Sequence, residues 1–349
     1  MPTAPDKRGP APTLRDVAAR ADVSATIASR VLNDDPSVRV RDDTRARIHE
    51  VAQALGYVPN GLARSLRKSR SDAIGLVMHN LASPLNTTVL EGVRGRCADA
   101  GYVTLVADSD QLTVDSSRLR TFLARGRLDG VILHVGYGHH DRLIEEVSRH
   151  LPAVLVNADL TAPVPAVRLD DTAAGRLATS HLISLGHTDI CFIGGPEGSV
   201  TSLGRQSGYE AALEESGRQP RIDAIRAGWG PEDGEAAALE LLRRPALPTA
   251  IVVANVVTAS GVLTVLRSAG VRVPDDISVV AIHDAWFAKH LAIPLTTVQL
   301  PLFELGETAA GLLLGTLAGK EPSDRVLITD PPPHLIPRES TAAPRAGAR

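Results

Sequence analysis

The chain has 349 residues, of which 44% are hydrophobic, 22% charged and 3% aromatic, with 2 cysteines and a formal net charge of −3. At roughly 100–200 residues per domain this length predicts two or three domains. The apolar balance excludes a disordered chain, and two cysteines exclude both a disulfide framework and a cysteine-rich zinc site. Charge is uneven: residues 1–70 carry 13 Lys and Arg against 8 Asp and Glu, and the remainder carries 24 against 32. A basic head on an acidic body suggests a module that meets the phosphate backbone of nucleic acid.

Residues 1–12 are polar and Pro-rich, with no apolar stretch behind Lys7 and Arg8, and therefore do not form a secretory signal. No apolar run approaches the roughly 20 residues of a membrane span, so the expected location is the cytoplasm, with no membrane partner. Thr13 to Tyr57 then shows helical periodicity in three pieces. Thr13 is placed to cap the first piece, whose Leu14, Val17, Ala18 and Ala21 share a face. Ser24 is placed to cap the second, Ala25 to Leu32, and the three or four residues between the two helices make a helix-turn-helix candidate. A third helix is predicted from Asp43 to Leu55, ended by Gly56. Pro59 and Asn60 lead into a short segment, Gly61 to Arg67, with Leu62, Ala63 and Leu66 on one side and Arg64, Arg67 and Lys68 around it.

From Ala73 the pattern changes. Short apolar runs begin at Ala73, Tyr102, Val131, Ala153, Ile190, Ala250 and Ile277, and amphipathic stretches such as Asn86 to Ala100, Thr172 to Leu185, Arg205 to Ser216 and Glu232 to Arg243 lie between them. Alternating apolar strands and helices predict parallel sheets covered on both faces, with a ligand cleft outside the carboxyl ends of the strands. Cys97 and Cys191 fall inside apolar stretches and are expected as buried thiols.

The motifs TLRDVAARADVS, SRVLN, TRARI, LGYVPN and LARSLR, in that order and spacing, resemble the DNA-binding head of the LacI family of transcription regulators. The likeness continues through AIGLVM, LDGVIL, LGHTDICFIGG, RQSGYEAAL, PDDISVVAIHD, PLTTV and IPRES, and so runs from Leu14 to about Thr341. It implies an α-helical helix-turn-helix head joined to an α/β periplasmic-binding-protein-like body of two Rossmann-like lobes with parallel sheets. The implied division is a tail over 1–12, the DNA-binding domain over 13–58, a hinge helix and linker over 59–72, an effector-binding and dimerisation body over 73–340, and a tail over 341–349. Within the body the family pattern puts 73–165 and 291–324 in one lobe and 166–290 and 325–340 in the other.

The resemblance also implies residue roles. The second helix would enter the major groove of a near-palindromic operator bound by a homodimer, with Ser24 and Ser29 on phosphate, Ala25 and Thr26 at base-reading positions, and Arg30 able to give two hydrogen bonds to one guanine. Asn33, Tyr57 and Asn60 complete that set. In the hinge, Leu66 would wedge into the minor groove, with Ala63 and Arg64 beside it. The chain departs from the family at Ile27 and Ala28, where a phosphate-contacting hydroxyl is expected to be missing. Asp34 and Asp35 in the following loop are expected to face away from DNA.

For the cleft, the resemblance carries over Leu85, Asn86, His134, Asn157, Arg205, Trp229, Asn255 and His283 as effector contacts. Arg205 would hold the effector by paired hydrogen bonds and Trp229 would stack on a sugar or base. His283 and Val256 replace aspartates usual in the family, which points to a sugar or sugar derivative, including an acidic one, whose affinity follows histidine charge. No GxSxG, HExxH, Walker or GxGxxG motif is present, and His139-His140 lacks a third ligand at a readable spacing, so neither catalysis, a cofactor nor a metal is expected. The expected function is an effector-controlled transcriptional repressor. The alternative is a cytoplasmic binding module of the same fold that has lost effector response or specific DNA recognition.

Overall fold

The structure is a computed structural model, and it describes residues 12–33, 35, 37–57, 70–114, 116–124, 126–134, 141–158, 164–217, 224–321 and 325–345. The chain divides into two compact units at Ser71/Asp72. The predicted roles of Asn60, Ala63, Arg64 and Leu66, and His139-His140, lie outside the described residues.

The first unit holds three helices, α1 (Leu14–Arg20), α2 (Ala25–Leu32) and α3 (Asp42–Leu55). Thr13 caps α1 with a full capping box: its hydroxyl accepts from the Asp16 amide, and the Asp16 carboxylate accepts from the Thr13 amide at 2.7 Å. Ser24 caps α2 by accepting from the Ile27 amide at 3.2 Å, and Gly56 ends α3 at φ 65°. Val17, Ala18, Ala21, Ala28, Val31, Ile48 and Ala52 make the core, and Ile27 packs against it. Ile27, half-buried, and Ala28, fully buried, thus serve packing, and neither carries a hydroxyl that could meet a phosphate.

The second unit contains two six-stranded sheets. The first has β1 (Ala73–Met78), β2 (Val103–Asp108), β3 (Gly130–His134), β4 (Ala153–Val156), β5 (Ala166–Leu169) and β11 (Arg325–Ile328), all parallel, in the order β11-β5-β4-β3-β1-β2. The second has β6 (Ile190–Gly194), β7 (Ile225–Arg226), β8 (Ala250–Val253), β9 (Ser278–Ile282), β10 (Thr296–Gln299) and β12 (His334–Ile336), in the order β12-β10-β9-β8-β6-β7. Here β12 runs antiparallel to β10 at the edge, an exception to the all-parallel expectation. Cys97 and Cys191 are buried thiols that are not joined in a disulfide.

The lobe boundaries need correction. β5 pairs with β4 and β11 pairs with β5, so 166–169 and 325–328 belong to the first lobe, whereas β10 pairs with β9 and belongs to the second. The chain changes sheet at Asp170, near Pro301 and between β11 and β12. Pro165 and Pro294, the punctuation nearest the expected boundaries, merely precede edge-side strands, where proline is tolerated.

Helices α4 (Pro84–Asp99), α5 (Ser109–Val114), α6 (Ser116–Phe122), α7 (Asp141–His150) and α12 (Leu302–Leu317) accompany the first sheet. The second has α8 (Asp171–Ser184), α9 (Val200–Glu215), α10 (Pro231–Leu242) and α11 (Val256–Ser268). α8 and α9 interlock through glycine: a Cβ on Gly175 would meet the Arg205 carbonyl at 2.0 Å, and one on Gly208 would meet the Thr172 carbonyl at 2.0 Å. This close approach brings the start of α8 against Arg205, which positions the cleft.

Candidate ligand cleft and nucleic-acid interface

At the amino end of α2, Ser24, Ala25 and Thr26 are exposed, and the first turn holds no carboxylate. A free helix amino terminus without a carboxylate is suited to phosphate. Ser29 and Arg30 are half-buried. Arg30 is not extended: its Nε donates to Asp35 at 2.9 Å and its Nη2 donates to the Ser37 hydroxyl. The Ser37 hydroxyl, donating to Asp35 Oδ1 at 2.6 Å, and after it the Arg30 bond hold the Asp35 carboxyl well below its usual range. Asp35 thus faces Arg30, and a guanine contact by Arg30 requires this clasp to open. Asn33 is likewise committed, its Nδ2 donating to the Ser29 carbonyl at 2.6 Å, and Tyr57 is half-buried against the core.

In the body, the carboxyl ends of strands from both sheets open onto one cavity of about 320 Å³. His79 and Asn80 follow β1, His134 ends β3 and Asn157 follows β4. Trp229 follows β7, Asn255 follows β8 and His283 follows β9. Leu85 and Asn86 come from the first turn of α4, and Arg205 from α9. All eight residues named from the sequence line this cavity. His79, Asn80, Ser199 and Thr201 line it too and were not anticipated, although His79 and Asn80 directly follow an apolar strand, where a ligand cleft is expected. Of the five described non-glycine residues with left-handed backbone, three are in this wall: Asn80 (φ 50°), Asn157 (φ 52°) and His283 (φ 66°). Such conformations cost free energy and concentrate where side chains must be aimed at a site.

Arg205 is the hub. Only 3% exposed, it donates from Nε to Asp171, itself 3% exposed, at 2.8 Å; from Nη1 to the Ala254 carbonyl; and from Nη2 to His283 Nε2 at 2.7 Å. Its guanidinium carbon lies 5.6 Å from the centre of the Trp229 ring, in the range of a cation–π contact. The Trp229 ring lies on the backbone at Gly195, where a Cβ would sit 2.2 Å from it. Burial pulls the Asp171 carboxyl above its usual range against the opposing pull of Arg205, so the pair is held at a desolvation cost and depends on its geometry.

His134 and His283 are both pushed toward the uncharged form by burial, against the expectation that histidine charge sets affinity. Burial, then His79, pushes His134 down to about 4. Burial, then Arg205 and His134, pushes His283 well below the usual histidine value. Among the described residues, no group of three or more His, Cys, Asp or Glu is arranged to hold a metal, and no helix is long and apolar enough to cross a membrane.

Comparison with known proteins agrees with this geometry. Residues 13–60 match the model for bacterial regulatory proteins of the lacI family, and residues 179–341 match that for a periplasmic binding protein-like domain. The chain is 33% identical over 339 residues to the HTH-type transcriptional regulator DegA of Bacillus subtilis (strain 168), covering 95% of this chain and 98% of DegA. The Lac repressor dimer bound to operator and the anti-inducer ONPF superimposes with a TM-score of 0.82 at 28% identity, covering 95% of this chain and 99% of that one. The complex of the transcriptional regulator CelR with cellobiose gives 0.70 at 30% identity, covering 94% and 99%. A capped helix-turn-helix unit, a two-sheet body with its cleft at the strand ends, and near full-length likeness to regulators of known type place the chain in the LacI family, as a DNA-binding transcriptional regulator with a ligand-binding body and not an enzyme.

Proposed function

We propose that the protein is a repressor that binds a near-palindromic operator as a homodimer and that a sugar or sugar derivative, bound between the two lobes, controls its operator affinity. The carrying observation is the cavity into which residues of both lobes converge, with the Trp229 ring next to the buried Arg205. An aromatic surface beside a fixed fork of hydrogen-bond donors suits a polyhydroxylated ring. The DNA-bound Lac repressor dimer and the CelR–cellobiose complex, both similar to this chain, support the repressor and sugar readings. The homodimer has support from edge strand β2, which leaves Val103 63%, Leu105 45% and Val106 43% exposed, apolar surface that a second copy would cover.

On DNA, Ser24, Ala25, Thr26, Ser29 and Arg30 of α2 would face the major groove, with Asn33, Tyr57, Asn60, Ala63, Arg64 and Leu66 supporting the head and hinge contacts. Selection of bound duplexes from a random pool at fixed salt, followed by a ligand panel on the enriched site, tests the proposal. A two-fold symmetric site whose affinity changes with a sugar is expected, and Arg30→Ala should relax its base preference. Enrichment of no sequence, or a site indifferent to every ligand, would refute it.

A further inference from the structure

The polarity of the cleft identifies the ligand's charge class, on the premise that a sugar derivative binds there. A backbone N–H can only donate, so any side-chain atom bonded to one is acting as an acceptor. Asn255 Oδ1 accepts from the Val257 amide at 2.6 Å and Asn157 Oδ1 accepts from the Leu169 amide at 3.4 Å, which fixes each amide's orientation and leaves it an Nδ2 donor and one oxygen lone pair. The same logic fixes His283. A guanidinium only donates, so His283 Nε2 accepts from Arg205 and the ring proton is on Nδ1. That Nδ1 is buried and, among the described residues, has no partner. Arg205 itself has five N–H groups and spends three, on Asp171, Ala254 and His283. Against these donors, Asn86 offers its amide oxygen, since its Nδ2 is given to the carbonyls of His79 and Asn80, and Ser199 and Thr201 offer hydroxyls, all of them uncharged acceptors. No aspartate or glutamate is among the described residues that line the cavity.

We infer that the ligand is an anionic sugar derivative, a sugar acid or sugar phosphate, whose charged oxygens accept from His283 Nδ1, Arg205 and the amides of Asn157 and Asn255. A neutral sugar presents hydroxyl hydrogens that bind best to carboxylates, and the described lining offers only uncharged acceptors. A carboxylate or phosphate presents only acceptors, and a buried N–H left without one is costly. His134 Nδ1, also buried and without a described partner, can donate or accept according to tautomer, and so fits either class without deciding between them. His283 is therefore the residue that selects for charge. It stands where the family usually carries an aspartate, a group that would accept from hydroxyls and repel an anion.

The test is calorimetric titration of the purified full-length protein and of His283→Asp with paired probes: glucose, galactose and mannose, their uronates, and their 6-phosphates. At least one anionic probe should bind the wild type about tenfold or more tighter than its neutral parent, as expected for charge-assisted hydrogen bonds. His283→Asp should reverse that preference while melting within a few degrees of the wild type. The uronate and phosphate arms tell which anion is meant. Tighter binding of a neutral sugar than of both its anionic partners would overturn the inference and leave the sugar reading standing. Binding of no probe would overturn both. His283→Gln, which keeps an N–H donor, should retain the anion preference, and its loss there together with retention in His283→Asp would also overturn the assignment.

Discussion

Removing the carboxylate of Asp171 exposes how the cleft is held together. Asp171 and Arg205 are both 3% exposed and joined by a 2.8 Å bond, so Asp171→Ala leaves a guanidinium buried without its counter-charge. Breaking a buried pair from one side costs about 3–5 kcal/mol. At roughly 2–4 °C per kcal/mol for a domain of this size, the body's melting temperature should fall by roughly 6 °C or more. Asp171→Asn keeps an acceptor for Arg205 Nε and should fall between Asp171→Ala and the wild type. Replacing both members, Asp171→Leu with Arg205→Met, should recover much of the stability, because apolar side chains of similar volume remove the desolvation penalty along with the attraction. Ligand binding should not recover, since Arg205 also positions His283 and borders the cavity. Calorimetric melting of the full chain at pH 7 measures all four proteins. If Asp171→Ala melted within about 2 °C of the wild type, the pair would not be the organising contact of this wall.

Gly195→Ala puts a Cβ 2.2 Å from the Trp229 ring, so the indole should move, and ligand affinity should drop about tenfold or more with little change in melting; titration with the best probe, read by tryptophan fluorescence, checks it. Ser340, fully buried, donates to the Val279 carbonyl at 2.6 Å and accepts from the Thr296 amide at 2.8 Å, so Ser340→Ala should destabilise the body by about 1–3 kcal/mol in urea unfolding. His134 is held down to about 4 by burial and by His79, with His283 also nearby. Its unfolded form takes up a proton first as pH falls, so stability is full above about 6.5 and is lost between about 6.5 and about 4, at about 1.4 kcal/mol per pH unit. Unfolding of the wild type and His134→Gln at pH 7 and pH 5 should show the smaller drop in the variant.

How far the sequence went follows from where its signals were local. Capping by Thr13 and Ser24 depends on a residue and its neighbours three positions on, and both caps form as expected. The apolar runs of β1, β3, β4, β6, β8 and β9 are buried along most of their length and so were visible as runs. β5, β10, β11 and β12 are short, carry Arg, Thr, Gln or His, and are assigned only by their partners, which no local pattern encodes. The cleft residues were legible only through the resemblance to the LacI family, which carried them over position by position. Asp171 was not. Asp170 and Asp171 are adjacent and identical, yet Asp170 caps α8 by accepting from the Ala173 amide at 2.8 Å while Asp171 turns inward to Arg205. Only the glycine-mediated approach of α8 and α9 distinguishes them. The clasp of Arg30 on Asp35 was hidden for a similar reason, since an arginine on an exposed helix reads the same whether it is extended or folded back.

The cleft also explains how occupancy can be converted into a signal. Its polar groups are divided: Asn157, Asn86 and His134 come from the first lobe, and Arg205, Asn255 and His283 from the second. A ligand can shift an equilibrium only by the difference in its affinity for the two states. One that reaches both sets makes all its bonds only when the lobes are close, and each tenfold of that difference moves the balance by about 1.4 kcal/mol. One that satisfies a single set binds open and closed forms alike and shifts nothing. The residue after His283 carries the consequence further along the chain. Asp284 takes two bonds from Arg338, at 2.8 and 3.0 Å, and Arg338 also donates to the Leu295 carbonyl, so the strand end that meets the ligand is clasped to the segment just past the third crossing between lobes. On the proposed function, ligand and operator would be linked through lobe closure, and that linkage would be reciprocal: a ligand that weakens DNA binding must itself bind less well to the DNA complex, by the same factor.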